Sequence, residues 1–323
     1  MSSYFDTVTT GINVPLTRLA AGYGQPQFIA DKLFPVAKSI LSKGQIPIYN
    51  KDAFKIYQTL RALGAKSNRA QISPDSWINF SCEEHDLAYP IDQRLIDELK
   101  AVPIDQQGKA FFDIQNRTRK RVQFNMQLEL EKRIADKVQA TASYTNNNFR
   151  ALTGSDCWSE TGSTPVQDIE DAKEFIRSKL GTYPNCLYLG PSTYSALKFH
   201  ADYTNRMTLT KDKVVSLDWI KSIHELKEVW TGESMGLDSD DTTFTDLWED
   251  TAILYYKPMG GFPDVEEPSF GYIIKPMFPS KPYPSVDVFT EEGGKIINIR
   301  CTDMYGDLFV LNTAGYLWSD VVA

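Results

Sequence analysis

The feature that most constrains this chain is residues 45–91, which have the pattern of a long hairpin with too few apolar residues to form a core of its own. Residues 46–49 and 77–82 read as its two strands, the second with apolar side chains alternating on one face. The tip between them carries Lys51, Lys55, Arg61, Lys66 and Arg69. Ordering a backbone costs about 1–2 kcal/mol per residue, whereas buried apolar surface returns about 25 cal/mol per Å². Either the hairpin is disordered or a neighbouring subunit covers it, and the second alternative indicates an assembly protein.

The composition indicates a folded protein. The 323 residues are 42% hydrophobic and 12% aromatic, which is enough for a core and too much for global disorder. This length suits one large domain or two modest ones. The formal net charge of −8 argues against a dedicated nucleic-acid binder. No apolar run approaches the roughly 20 residues of a membrane span, and the first residues lack the layout of a signal peptide.

Residues 110–144 predict a long helix. They contain neither glycine nor proline and are rich in good helix formers. An apolar ladder with four-residue spacing includes Ile114, Val122, Met126, Leu130, Ile134 and Val138. Because a helix turns by about 100° per residue, this stripe drifts around the axis, as expected for a helix that crosses several elements or a subunit boundary. A basic cluster in its first third contains Arg117, Arg119, Lys120 and Arg121.

The segments on either side of this helix have other patterns. Residues 1–44 show no sustained period and are broken by glycine and proline, so they predict an extended arm. From residue 164 onward short helices and strands alternate. The predicted helices cover 165–180, 190–200 and 216–226, and the predicted strands cover 186–189, 227–230, 252–257 and most of 286–323, with a turn at 291–294.

The candidate catalytic and metal-binding residues have simpler structural interpretations. Residues 82–86, CEEHD, are rich in metal ligands, but neighbouring side chains on a strand point to opposite faces. His85, His200 and His224 have no nucleophile elbow beside them. The acidic run 238–241 lacks the spacing of a calcium loop. We therefore expect no catalytic residue, no cofactor and no dedicated metal site. A thiol paired with a histidine and a weak cation site at a subunit junction remain as alternatives.

Charge divides the chain into complementary parts. Residues 225–267 are strongly acidic, with Lys227 and Lys257 as their only bases, whereas the hairpin tip is basic. Opposite charges on one molecule favour head-to-tail packing of identical subunits. The alternative is a solvated arm that takes no part in assembly.

Several motifs, taken in order, resemble the major capsid proteins of tailed phages. The N-terminal ones are FIADKLFPV at residues 28–36, GQIPIY at 44–49, RALGAKSNR at 61–69 and CEEHDLAYPID at 82–92. The later ones are PNCLYLG at 184–190, YSALKFH at 194–200 and AGYL at 314–317. Their order and spacing, rather than any single motif, carry the resemblance.

The resemblance implies an α+β fold of the HK97-like capsid type. Its parts are an N-terminal arm at 1–44, an extended β-hairpin loop at 45–92, and a peripheral domain at 93–150 with a long spine helix at about 110–144. An axial domain follows at 151–280, residues 281–306 return to the peripheral domain, and residues 307–323 return to the axial domain.

The implied function is that of a non-enzymatic shell protein of a tailed bacteriophage, which forms hexamers and pentamers of an icosahedral virion capsid around double-stranded DNA. The expected partners are other copies of the chain, a portal, and optional cement or decoration proteins. The matching region begins by Phe28, which leaves no room for a fused scaffolding segment, so a separate scaffolding protein is expected. Assembly is expected in the host cytoplasm, with no membrane and no sequence-specific DNA contact.

Two other functions, each from a different class of protein, are alternatives to the phage capsid. The nearer one is the shell of a cellular nanocompartment of the encapsulin type, which has the same fold. The more distant one is an α/β hydrolase-like enzyme.

The hairpin argument and the resemblance together give the predicted subunit-contact residues. In the loop and arm they are Phe28, Phe34, Lys51, Lys55, Arg61, Lys66, Asn68, Arg69 and Trp77. In the spine helix they are Arg117, Arg121, Met126 and Leu130.

Overall fold

The computed structural model describes most of the chain. The described residues are 11–12, 14–21, 28–48, 56–57, 59–64, 66–69, 76–99, 104–145, 147–207, 214–237, 242–259, 269–278 and 282–323. Lys51 and Lys55 of the predicted contact set and the acidic run at 238–241 lie outside these residues.

Helices and strands alternate along the described residues. The α-helices are α1 (Val14–Ala21), α2 (Ala30–Leu33), α3 (Gln93–Leu99), α4 (Ile104–Gln139), α5 (Pro165–Leu180), α6 (Pro191–Leu197), α7 (Ala201–Thr204) and α8 (Leu217–Ile223). The strands are β1 (Gly11–Ile12), β2 (Val36–Ser39), β3 (Lys43–Ile48), β4 (Ser76–Ser81), β5 (Glu83–Asp92), β6 (Phe149–Ala151), β7 (Cys186–Leu189), β8 (Glu228–Thr231), β9 (Met235–Leu237), β10 (Phe244–Asp246), β11 (Ala252–Tyr255), β12 (Gly271–Pro276), β13 (Ser285–Glu291), β14 (Ile296–Phe309) and β15 (Gly315–Ser319).

Two β-sheets carry the fold. In the first sheet the strand order is β1-β13-β14-β12-β2, and β5 also pairs with β14. The β5–β14 ladder is antiparallel and runs from Asp92 opposite Ile296 to Glu83 opposite Tyr305. In the second sheet the order is β6-β15-β11-β7-β8, and α5 packs against β11 and β15. This mixture of helices and sheets confirms the predicted α+β class.

The long helix α4 lies against two hydrophobic clusters. In its first half Val122 is buried in a cluster with Ile297 and Ile299 of β14. In its second half Ile134 and Val138 are buried in the main core, to which both sheets contribute. The apolar ladder therefore drifts around the axis because the helix crosses several elements of its own chain.

The bounds of α4 differ from the predicted 110–144. The helix begins at Ile104 and includes Gly108, because tertiary context overrides the about 1 kcal/mol that a helical glycine costs. It ends at Gln139, and Ala140 leaves it with an extended backbone before a short 3-10 turn, Thr141–Ser143.

Residues 28–39 belong to the core, in contrast to the extended arm predicted over 1–44. Strand β2 adds a parallel neighbour to β12 in the first sheet. The ring of Phe34 is fully buried and stands edge-on to Phe270 and Phe309, at centroid distances of 5.8 and 5.4 Å. Phe34 therefore packs inside its own subunit, and its predicted contact with a neighbour is wrong. Strand β12 lies inside the predicted axial domain, 151–280, and pairs with β14 and β2 of the first sheet.

Glu131 of α4 joins three distant segments of the chain. Its side chain is fully buried, and its carboxylate accepts the backbone N–H groups of Ile29 and Ala30 at 3.0 and 2.8 Å. The indole N–H of Trp248 and the hydroxyl of Ser234 donate to the same carboxylate at 2.7 and 3.2 Å. Burial raises the pKa of Glu131, and these hydrogen bonds offset that effect only in part. One carboxylate thus fixes all three segments at one point of α4.

Asp307 of β14 joins α4 to the first sheet through two cations. Its carboxylate accepts Lys137 Nζ at 2.6 Å and Arg133 Nε at 3.0 Å. Burial alone would raise the pKa of Asp307, but the hydrogen bonds and charges of the two cations outweigh it and hold the pKa below its usual value. Because the folded pKa is the lower one, the stabilisation is present above the unfolded pKa of about 3.9 and is lost as the pH falls through the folded pKa.

Asp307→Asn is therefore expected to have a pH-dependent effect on stability. At pH 7 it should lower the free energy of unfolding by about 1–3 kcal/mol, and the loss should shrink as the pH falls below the folded pKa. Urea unfolding of both proteins across this range measures the difference. Asp136→Asn is the matched control, because Asp136 pairs with Lys132 at 2.9 Å in a well-exposed position. A loss that stays constant with pH would contradict the role of the charge.

Candidate subunit-contact surface

The predicted hairpin arm is a two-stranded ribbon. Strands β3 and β4 pair antiparallel along their whole lengths, and the Gln45 side chain donates to Asn79 across the ribbon at 3.0 Å. The strands predicted at 46–49 and 77–82 are thereby confirmed; the first begins three residues earlier, and the second is displaced by one residue towards the N-terminus.

The root of the arm is fixed to the main core. Ile46 of β3 and Cys82, directly after β4, are buried there, and Ile78 and Phe80 pack against the same cluster. The Cys82 thiol donates to the carbonyl oxygen of Ile274 at 3.4 Å. The apolar face predicted for β4 therefore serves as the anchor of the arm.

Gly306 of β14 allows this strand to approach the arm root closely. A Cβ atom at Gly306 would lie 2.6 Å from the carbonyl oxygen of Ser81. Gly306→Ala is therefore expected to displace β4 and to lower the free energy of unfolding by about 1–3 kcal/mol. Urea unfolding and hydrogen exchange of the β4 amides measure both effects. Gly162→Ala is the control, since its Cβ would meet nothing within 4 Å; equal losses in the two variants would contradict this account.

The tip of the arm exposes apolar side chains that its own chain does not cover. Ile56, Leu60 and Leu63 are 99%, 83% and 106% exposed. The loop around Leu63 is nevertheless defined, because Gly64 takes a left-handed φ of 81° and the Asn68 side chain donates to the Leu60 carbonyl at 3.2 Å. Large apolar side chains grouped at one exposed place mark an interaction site.

Basic side chains flank the apolar tip. Arg61, Lys66 and Arg69 are all exposed there, and the Arg61 guanidinium lies 3.5 Å from the Ser67 hydroxyl. The structure thus brings Arg61, Lys66, Asn68 and Arg69 of the predicted contact set together on one short loop. Trp77, 55% exposed, lies on β4 between the tip and the root.

The chain is similar along nearly its whole length to a curated phage protein. It is 36% identical over 309 residues to the major capsid protein of Burkholderia phage BcepMu, and the match covers 95% of each chain. This chain belongs to the phage major capsid proteins. That relationship favours the phage capsid over the nanocompartment shell and the hydrolase. No protein-family model matches the sequence.

Solved structures place this capsid protein in the predicted fold. The crystal structure of a phage-related protein from Bordetella bronchiseptica matches with a TM-score of 0.76 at 28% identity, covering 97% of this chain and 98% of that one. The crystal structure of a putative prophage capsid protein from E. coli CFT073 matches with a TM-score of 0.57 at 10% identity, covering 96% and 99%. The capsid protein therefore has the HK97-like fold, in which α4 is the spine helix.

The basic cluster of the spine helix divides between surface and interior. Arg117, Lys120 and Arg121 are exposed, so the two predicted contact arginines of this helix are accessible to a neighbour. Arg119 is buried, and its guanidinium donates to the Asn116 side chain at 3.0 and 2.9 Å.

The apolar residues predicted as contacts in this region pack at least partly against their own subunit. Met126 and Leu130 line a partly open pocket of about 200 Å³, and Leu130 is buried in the main core. The ring of Phe28 lies 5.6 Å from that of Phe124 on the spine helix. Leu130 therefore packs inside its own subunit, whereas contact of the half-buried Met126 with a neighbour stays a prediction.

Sequence reasoning missed the three apolar residues at the tip. It emphasised the basic side chains of this loop, although Ile56, Leu60 and Leu63 are the large apolar residues that the monomer leaves exposed there. The signal was present, because large apolar residues in a stretch without core partners need cover from elsewhere.

The histidines of this capsid protein take part in internal hydrogen bonds. His224 is fully buried, with Nδ1 2.6 Å from a Glu170 oxygen and Nε2 2.9 Å from the Tyr203 hydroxyl. Burial lowers the pKa of His224, and Glu170 offsets this only in part. The ring of His85 stacks on Tyr305 with centroids 4.3 Å apart.

Metal-binding clusters and membrane-spanning helices are both absent from the part of the chain that the structure describes. There, no three His, Cys, Asp or Glu side chains gather closely enough to hold a metal ion. Within the same residues, no helix combines the length and apolar character that crossing a membrane requires.

Proposed function

We propose that this capsid protein assembles with copies of itself into the hexamers and pentamers of an icosahedral shell around double-stranded DNA. The observation that carries the proposal is the hairpin arm, whose root is fixed in the core while Ile56, Leu60 and Leu63 at its tip are left uncovered. A neighbouring subunit that buries these side chains gains their transfer free energy. The role is structural, and it includes no catalytic step and no cofactor.

The two sheets are proposed to take different places in the shell. The region around the second sheet is the axial domain and converges at the five- and six-fold vertices. The first sheet with the spine helix is the peripheral domain, and the hairpin arm lies over the neighbouring subunit. The proposed contact residues are Phe28, Lys51, Lys55, Arg61, Lys66, Asn68, Arg69 and Trp77 in the arm and loop, and Arg117, Arg121 and Met126 on the spine helix.

The partners of the shell are proposed from the same assignment. They are a separate scaffolding protein, a portal, and optional cement or decoration proteins, with assembly in the host cytoplasm and the virion as the product. A formal net charge of −8 supports enclosure of DNA without tight, sequence-specific binding.

Electron microscopy of the purified chain, produced alone and together with its scaffolding protein, tests this proposal. We expect closed shells, or hexamers and pentamers that associate as the protein is concentrated. A chain that remains monomeric in both preparations would overturn the proposal.

A further inference from the structure

A groove of about 720 Å³ runs between the exposed side of α4 and the ribbon formed by β9 and β10. Leu128 of the helix and Leu237 and Leu247 on the ribbon side supply its apolar lining. Leu237 is 51% exposed, so the groove is open to solvent. It is separate from the pocket that Met126 and Leu130 line.

The ribbon presents an apolar face that its own chain leaves open. Leu237 pairs directly opposite Phe244, and directly paired residues lie on the same face of a ribbon. Met235, Leu237 and Phe244 are 47%, 51% and 69% exposed. On the other face Gly236 rests on Leu247, where a Cβ would come within 2.9 Å of a Leu247 methyl. Gly236 is therefore packed on the subunit, whereas the face that carries Leu237 and Phe244 is open to solvent beside the groove.

The groove is acidic around its apolar lining. Four carboxylates line it, those of Glu129, Asp136, Asp246 and Glu249, against the single ammonium of Lys132. Lys132 is already paired with Asp136 at 2.9 Å. The lining residues therefore carry a net charge of −3, and Arg133 lies 3.8 Å from the carboxylate of Glu129. An occupant with an apolar centre and positive flanks matches this pattern.

The arm tip has that complementary pattern. Leu63 stands at the turn beside Gly64, and Arg61 and Lys66 flank it in the chain. Because Leu63 is 106% exposed, the tip does not occupy the groove of its own subunit. The opposite charges of the arm tip and the groove favour head-to-tail packing, so the tip of a second copy of the chain is the occupant they indicate.

We propose that the arm tip of one subunit inserts into the groove between α4 and the β9–β10 ribbon of a second copy. Leu63 then packs on Leu237 and Leu247, and Arg61 and Lys66 face the carboxylates around the groove. This inference rests on the proposed function and names the surface that receives the arm.

Disulfide trapping in assembled shells tests the inference. The double variant Leu63→Cys/Leu237→Cys is oxidised after assembly and run on a non-reducing denaturing gel. All four native cysteines are buried, so the expected ladder of dimers and higher oligomers comes from the introduced pair and collapses on reduction. Leu63→Cys/Phe199→Cys is the control, since Phe199 is 70% exposed and does not line the groove. It should give no ladder.

Charge reversal keeps the inference falsifiable where a cysteine variant does not assemble. Arg61→Glu is expected to reduce the yield of shells at least about tenfold, and Arg61→Glu/Glu249→Arg to restore much of it. Three results together would overturn this inference and leave the proposed function standing: the wild-type chain forms shells, the Leu63→Cys/Leu237→Cys variant gives no ladder, and Arg61→Glu/Glu249→Arg does not restore the yield. The same result is expected if another protein occupies the groove. A wild-type chain that forms no shells would instead overturn the proposed function.

Discussion

Deletion of residues 60–73 is expected to abolish shell formation and to leave the subunit folded. Leu60 and Leu63 lie outside both hydrophobic clusters, so the fold loses no buried apolar surface with them. In the shell the same two side chains are proposed to be buried, at about 1.5–3 kcal/mol each, and this loss recurs at every subunit contact. Electron microscopy and sedimentation measure assembly. Circular dichroism and urea unfolding measure the fold of the subunit.

A double variant separates burial from loop length. Leu60→Ser/Leu63→Ser keeps every backbone atom of the tip and replaces the two leucines that the deletion removes, so it should impair assembly in the same direction as the deletion. Gly162→Ala is a control outside the arm, where the added Cβ meets nothing within 4 Å, and it should assemble like the parent protein. Normal, stable shells from the deletion variant would show that the arm does not hold the shell together.

Glu131→Ala is expected to lower the free energy of unfolding by about 3–5 kcal/mol, because it removes the shared acceptor of four donors. The amides of Ile29 and Ala30, the Trp248 indole and the Ser234 hydroxyl all point at this carboxylate. Since burial raises the pKa of Glu131, the variant also removes an unfavourable buried charge, and the net loss is smaller than the sum of four separate hydrogen bonds. Urea unfolding measures the loss.

Hydrogen exchange identifies where this stability is lost. Exchange of the Ile29 and Ala30 amides should accelerate in Glu131→Ala, since the carboxylate that accepts their hydrogen bonds is gone. The exchange rates in Glu131→Gln should lie between those of Glu131→Ala and the parent protein, because an amide accepts through one oxygen only. Asp136→Ala, on the exposed side of the same helix, should stay within about 0.5 kcal/mol of the parent. Indistinguishable stabilities for the Glu131→Ala and Asp136→Ala variants would refute the joining role of Glu131.

Elements with local signals could be predicted from the sequence alone. Helix α5 begins at Pro165 and is followed by Gly181, whose φ of 81° is left-handed, as the positions of the two residues predict. The arm strands follow from their alternation, and strand β7 is buried along its whole length, as its apolar run indicates. In each of these cases neighbouring residues contain the information.

Features that depend on distant partners could not be predicted in this way. Residues 28–39 read as an arm because one helical turn and one short strand give no period, and only pairing with β12 makes them core. Glu131 reads as a surface residue of a helix, since its donors Ile29 and Trp248 lie about a hundred residues away on either side. The β9–β10 ribbon is too short to give a pattern, so the groove beside it was not predicted.

A cryo-electron microscopy reconstruction of assembled shells tests the central claim most directly, because it shows what covers the arm tip. The account predicts residues 56–69 on a neighbouring subunit, with Leu60 and Leu63 buried at that contact. Arms that fold back onto their own subunit, or that project into solvent in intact shells, would contradict it.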